Sequence, residues 1–179
     1  MKDLKDMTLE ELWQLFPITL SPHRKEWTEW AKREIASLEK LLTVFDPIVS
    51  HIGSTAIPGI MAKPIVDILV EVPPNTDKPS LKILMETNGY ICTNESADRI
   101  SFNKGYTAQG YAERVFHIHF HHYGDHDEIL FRDYLISHPE VAHDYEILKQ
   151  SLLPRYRNLR DAYTDAKTEF IRRVTNLAR

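Results

Sequence analysis

Hydrophobic residues change their spacing several times along the chain, and each change marks an element. Thr8-Leu9-Glu10-Glu11 has the form of a capping box, in which Thr8 covers an amide of the first turn and Glu11 reaches back. It predicts a short helix to about residue 16, closed by Pro17. Ser21-Pro22 then sets a capping hydroxyl before a proline at the first helical position. Trp27, Trp30, Ala31, Ile35, Leu38, Leu41 and Leu42 follow at helical spacing, which predicts one long amphipathic helix over about 22–44.

After Asp46-Pro47 the pattern turns extended. Residues 48–52 and 65–72 are rich in Ile and Val and read as strands. Between them Gly53, Pro58, Gly59 and Pro64 crowd into one short stretch with Ser54 and Thr55. Residues 80–88 read as a helix, with Gly89 where a C-terminal cap belongs. Further strands are predicted over 90–93, 99–103 and 114–121, and a helical region from Asp127 to the end. Pro139 and Pro154 are predicted to interrupt it, and a last helix to cover about 161–177. Strands in the middle with helices before, between and after them indicate an α/β or α+β fold: a mixed central sheet flanked by helices, with a long N-terminal helix and a helical C-terminal region.

Length and charge narrow the function classes. A chain of 179 residues favours one domain over 1–179, large enough for a proper core. With 22 basic and 26 acidic residues the net charge is −4, which argues against bulk DNA or RNA as a partner. Cys92 is the single cysteine, so an internal disulfide and a thiolate metal site are both excluded. No apolar run reaches membrane-spanning length and the first residues alternate charges, so a cytoplasmic protein without a membrane partner is expected.

The chemistry concentrates in residues 51–71. Gly53 lets a backbone come close to a bound group, Ser54 adds a hydroxyl donor, and a helix starting at Ser54 or Thr55 would offer free amides to an anion. Lys63, just before the second strand, is a cation suited to a phosphate. Strand alternation puts Asp67, Leu69 and Glu71 on one face. In the later strand His117, His119 and His121 share a face, part of a group of five histidines that also includes His122 and His126. If the two strands are neighbours, Asp67, Glu71, His117 and His119 converge as candidate metal ligands, with Asp67, His117 and His119 also candidate catalytic groups. Imidazole favours transition ions over magnesium, and histidine also suits general-base work near neutral pH.

These residues carry a resemblance. The run Gly53–Asp67 resembles the strand, Gly-Ser turn and Asp-bearing strand of the DNA polymerase beta-like nucleotidyltransferases. More specifically, His51-x-Gly53-Ser54-Thr55-Ala56-x-Pro58-Gly59 followed by Ala62-Lys63-Pro64-x-x-Asp67-Ile68 resembles the signature of the GrpB family, a branch of that superfamily. Phe102-Asn103-Lys104-Gly105, the stretch from Arg114 to His119, Leu130–Leu135 and Tyr163–Lys167 are similar to later motifs of the family. The resemblance implies a nucleotidyltransferase-like fold in which Gly53, Ser54, Thr55, Lys63, Lys104, Arg114, Arg132 and Lys167 contact a nucleotide or phosphorylated small molecule. It also implies a divalent cation (Mg²⁺, Mn²⁺ or Zn²⁺) and nucleotidyl or phosphoryl transfer.

One position departs from the superfamily. The second carboxylate, two residues after the first, is replaced by Leu69. Glu71 lies a further two residues on, ~6.6–6.8 Å from Asp67 along the strand, which is too far for both to bind one magnesium at ~2.1 Å. Two alternatives therefore stand beside metal-assisted transfer: a catalytically silent binding module of the same fold, and a transition-metal hydrolase built on the histidines. Oligomeric state, acceptor and base preference are not legible at this level.

Overall fold

The computed structural model describes residues 2–179. Five strands form one sheet: β1 (Ile48–Ile52), β2 (Val66–Val72), β3 (Ile91–Glu95), β4 (Ile100–Thr107) and β5 (Gly110–His122). Their order is β1-β2-β5-β4-β3. Only β2 and β5 run parallel; the other neighbours are antiparallel. The mixed sheet expected from the sequence is present, and its parallel pair is the one that bears the carboxylate and the imidazoles.

One face of the sheet makes the main core. Ile68 and Val70 of β2, Ile118 and Phe120 of β5 and Phe102 of β4 pack with Trp27, Ala31 and Leu38 of α2 (Glu26–Leu41) and with Leu81 and Met85 of α3 (Lys78–Thr87). The alternation that buries these residues sends Asp67, Leu69, His117 and His119 to the opposite face. A second cluster joins Ile57 and Ile60, from the turn between β1 and β2, to Phe131 and Leu135 of α4 (Asp127–Ser137), Ala142 and Tyr145 of α5 (Pro139–Tyr156), and Val174 of α7 (Thr168–Ala178). It anchors the C-terminal helices to that turn.

Several boundaries differ from the sequence pattern. The capping box opens α1 (Leu9–Leu15) as expected. Ser21, however, does not cap a helix. Its amide and carbonyl pair with Ala62 at 2.9 and 3.0 Å, and α2 starts five residues later with no side-chain cap. Pro154 does not interrupt α5, because it lies in the last turn, where a missing amide costs a single intrahelical bond. The expected last helix is two: α6 (Arg160–Asp165) ends at Ala166, and Lys167 precedes α7. That break turns Lys167 inward; it is 8 % exposed.

The hairpin between β4 and β5 is irregular. Lys104 pairs with Phe116 but Tyr106 pairs with Tyr111, so the register shifts at Gly105. Gly105 has φ +90°, and a Cβ there would sit 2.3 Å from the Arg114 carbonyl oxygen. Strict alternation would leave Tyr106 on the face of Lys104; the shift delivers it to His117 instead. Gly105→Ala is therefore expected to lower unfolding free energy by about 2 kcal/mol or more in urea titration. Unchanged stability would show that this irregularity is not a tight constraint.

Candidate functional site

The site is built around one carboxylate oxygen. The parallel register sets Asp67 opposite His117 and Leu69 opposite His119. Asp67 Oδ1 lies 3.1 Å from His119 Nε2 and 3.4 Å from His117 Nδ1. Burial alone would raise the Asp67 pKa, but hydrogen bonds from His117 and His119 outweigh it and hold the carboxyl well below the usual carboxylate range. Burial lowers His117, with Asp67 opposing it. The aspartate is thus ionised at neutral pH beside two imidazoles, a donor arrangement for a cation.

A turn closes on the other carboxylate oxygen. Gly53 has φ +72°, and a Cβ there would stand 2.7 Å from Asp67 Oδ2. Only glycine lets the strand end come this close. Ser54–Ala56 follow as a single 3-10 turn, a short piece rather than a helix with a run of free amides. His51 Nε2 lies 2.8 Å from Thr55 Oγ1 and fixes the turn; burial takes His51 down to about 4, so the ring stays neutral near pH 7. Thr55 is fully buried and its hydroxyl is committed to this contact.

Two buried lysines, Lys149 and Lys167, and the half-buried Lys63 border the turn. Lys149 of α5 donates to Ser54 Oγ at 3.1 Å and to the Met61 carbonyl. Lys63 and Lys167 reach the ring of Tyr163 at 5.8 and 4.5 Å. Burial lowers Lys63; burial, opposed by Glu146 and assisted by Lys63, takes Lys149 down to about 7. Lys167 also falls to about 7, through burial and then through Lys63 and Lys149. Mutual repulsion among desolvated ammonium groups is relieved either by losing protons or by an anion between them. The Tyr163 hydroxyl is buried among these groups without a hydrogen-bond partner among the described residues.

Other residues expected at the site are committed elsewhere. Glu71 is buried, and its Oε1 accepts from the Gly124 amide at 2.8 Å and faces His126 Nδ1 at 3.0 Å. It pairs across with His121 and is not in the group that gathers Asp67, His117 and His119. Lys104 lies on the core face, where it holds buried Glu34 at 2.9 and 3.0 Å. Arg114 stacks on Trp30 of α2 at 5.5 Å, again away from Asp67. The Arg132 guanidinium donates to the His51 carbonyl at 2.7 Å and to Asp133 at 2.7 Å, so it braces β1. Sequence reasoning missed Lys149, Tyr106 and Arg160, which reach the site from a shifted hairpin and from distant helices, and gave no role to Tyr163, which opens one of the motifs.

The ligand atoms of Asp67, His117 and His119 all lie within 4.8 Å of one another. Tetrahedral ligands at ~2.0–2.1 Å from zinc stand about 3.3 Å apart, close to the two Asp67–histidine separations. Each ring also has an outer partner: His117 Nε2 meets Tyr106 Oη at 2.7 Å, and His119 Nδ1 meets Ser101 Oγ at 3.4 Å. One carboxylate and two imidazoles with outer partners fit a borderline transition ion such as Zn²⁺, and less closely the harder Mn²⁺, better than magnesium, which prefers all-oxygen ligands.

A mixed five-stranded sheet flanked by helices, with a glycine turn closing on an aspartate of that sheet, is an α+β fold. Solved structures agree at the level of fold: the Cid1 poly(U) polymerase, in a mutant form bound to MgATP, superposes with TM-score 0.51 and 12 % identity over 79 % of this chain and 47 % of that one. The chain belongs to the GrpB family, whose pattern, described as GrpB protein, matches residues 17–177. The crystal structure of conserved protein GrpB from Enterococcus faecalis has TM-score 0.73 and 28 % identity, covering 89 % of this chain and 96 % of that one. UPF0157 protein PA4798 of Pseudomonas aeruginosa is 35 % identical over 90 % of this chain and 67 % of its own length. The chain spans 49 % of the length of a Bacillus subtilis relative. No helix among the described residues is long and apolar enough to cross a membrane.

The lysine environment has a measurable consequence. In the unfolded chain Lys149 keeps its proton up to about its ordinary 10.5, but in the fold it loses it near 7. Between those values the unfolded state binds more protons, so stability rises with pH, by up to about 1.4 kcal/mol per pH unit for each such lysine. Below 7 both states are protonated and the full burial cost remains. Chemical denaturation across this window should show a shallower rise in Lys149→Met than in the parent chain; parallel curves would contradict the burial of the ammonium group.

Proposed function

We propose that the chain binds a phosphorylated small molecule, a nucleotide first among them, beside a divalent transition ion held by Asp67, His117 and His119. The observation that carries this reading is the convergence of three ligand atoms within 4.8 Å next to a turn that a Cβ would close. When bound, such an ion supplies Lewis-acid polarisation of a phosphoryl oxygen.

The chain's own residues would do the rest. Gly53 would let a phosphate approach the backbone, and the Ser54 hydroxyl, held by Lys149, would donate to it. Lys63, Lys149 and Lys167 would supply the countercharge. A dianionic group between them raises their affinity for protons and so restores the positive charge that burial removes. Transfer of a nucleotidyl or phosphoryl group is the reaction class this arrangement supports. Leu69 supports a second reading. It is fully buried where a second carboxylate would stand, which suits a module that binds the same ligand without turning it over.

Calorimetric titration with ATP, CTP, GTP and UTP, each with and without Mn²⁺ or Zn²⁺, separates the readings. Cation-dependent binding of at least one nucleotide is expected, weakened more than about 100-fold in Asp67→Ala, since even loss of an outer partner of a metal ligand costs 10–100-fold. Equal binding with and without cation would favour the silent module. No binding of any of the four would overturn the nucleotide reading.

A further inference from the structure

Between the two imidazoles that face Asp67 there is an asymmetry. His119 presents Nε2 to the carboxylate, whereas His117 presents Nδ1, leaving its Nε2 to Tyr106 at 2.7 Å. Tyr106 is itself engaged from behind. Arg160, at the start of α6, donates from one Nη2 to the hydroxyls of Tyr106 and Tyr111, both at 3.0 Å. The Tyr111 hydroxyl donates in turn to the Phe16 carbonyl at 3.3 Å, and the Phe16 ring packs on both tyrosines with centroids at 4.8 and 5.0 Å. The Tyr106 and His117 rings lie nearly parallel, 20° apart with centroids at 5.8 Å. The hydroxyl of Tyr106 therefore has a fixed position and a fixed neighbour on each side.

Donor and acceptor counting assigns the protons. Arginine has no acceptor, so Arg160 occupies a lone pair of the Tyr106 oxygen. The ionised Asp67 only accepts, so the neutral His117 ring carries its proton on Nδ1, and Nε2 accepts the Tyr106 hydroxyl proton. We propose that Tyr106, held by Arg160, is a positioning residue that fixes the ring plane of His117 so that Nδ1 faces the Asp67 oxygen and any ion held there. The proposal rests on the metal reading above and extends it to residues outside the ligand set.

The proton balance is closed. When Nδ1 takes an ion it gives up its proton, and a neutral ligating ring must carry one on Nε2 instead. The Nδ1 proton is released to solvent and Nε2 takes one up from solvent, so the ring ends neutral with no net change in protons. The Tyr106 oxygen has a second lone pair to accept the new Nε2–H once its own hydroxyl proton rotates away, with Arg160 still donating to the first. A phenylalanine at this position keeps the ring packing but gives Nε2 neither a donor in the empty state nor an acceptor in the loaded one.

Two measurements test this. The first is the nitrogen-15 spectrum of His117 in the metal-free protein, which reads the tautomer directly. A proton on Nδ1 is expected in the parent chain, with the Nε2 resonance moved by the loss of its hydrogen bond in Tyr106→Phe. An Nε2–H ring in the parent would overturn the proposal. The second is Co²⁺ affinity, with its visible absorption as the report of ligand geometry. Tyr106→Phe is expected to weaken Co²⁺ binding 10–100-fold and alter the spectrum, with Arg160→Met in the same direction. Tyr111→Phe, which removes an Arg160 partner without touching His117, should stay within about threefold of the parent. Tight Co²⁺ binding by Tyr106→Phe with the parent's spectrum would overturn the positioning role and leave the metal reading intact. Failure of the parent chain itself to bind Co²⁺ would overturn both.

Discussion

Asp67 faces His117 because β2 and β5 run parallel, and no other group among the described residues brings a carboxylate and two imidazoles to one point. Parallel neighbours need a long crossover, and here it holds α3, β3 and β4. Those elements do double duty. α3 and β4 complete the core on one face, and β4 sends Ser101, near its start, and Tyr106, near its end, to the other face as outer partners of the histidines. An ionised aspartate in this position is costly to desolvate, and it is the pair of imidazoles that makes it tolerable.

The same burial argument applies with the opposite sign a short distance away. Lys63, Lys149 and Lys167 are drawn out of water by the packing of α5, α6 and α7 against the turn, and they have too few carboxylates to match them. Glu146 lies near Lys149 but is itself bound to the Met61 amide at 2.6 Å. A fold that keeps a positive cluster in this condition beside an ionised aspartate has its two charges separated across one turn. That separation suits a ligand with an anionic part for the lysines and an oxygen to share with a cation at Asp67.

What could be read from the sequence follows from how local each signal is. The alternation of β2 and β5 gave the correct faces for Asp67, His117 and His119, because a two-residue period survives without knowledge of the partner strand. Gly53 and Ser54 were visible as a turn between two runs of β-branched residues. Lys104 and Arg114 were carried to the site by their motifs, but the parity that puts Phe116 in the core puts them with it, against Glu34 and Trp30. Tyr106 was illegible for the converse reason: the register shift at Gly105 reverses its face, and no pattern in the residues announces that shift. Lys149 sits on a helix docked by the second apolar cluster and Arg160 on the short α6 that follows it, and their sequence neighbourhoods look like ordinary solvated surface. The break before Lys167 was likewise hidden in a continuous helical pattern.

The central claim is that Asp67 Oδ1, His117 Nδ1 and His119 Nε2 share one divalent ion. Anomalous diffraction at the zinc and manganese absorption edges, from crystals of this protein grown with each ion, tests it directly. The account predicts a single strong peak in contact with those three atoms. Density for the ion at surface carboxylates alone, with the Asp67–imidazole contacts retained, would contradict it.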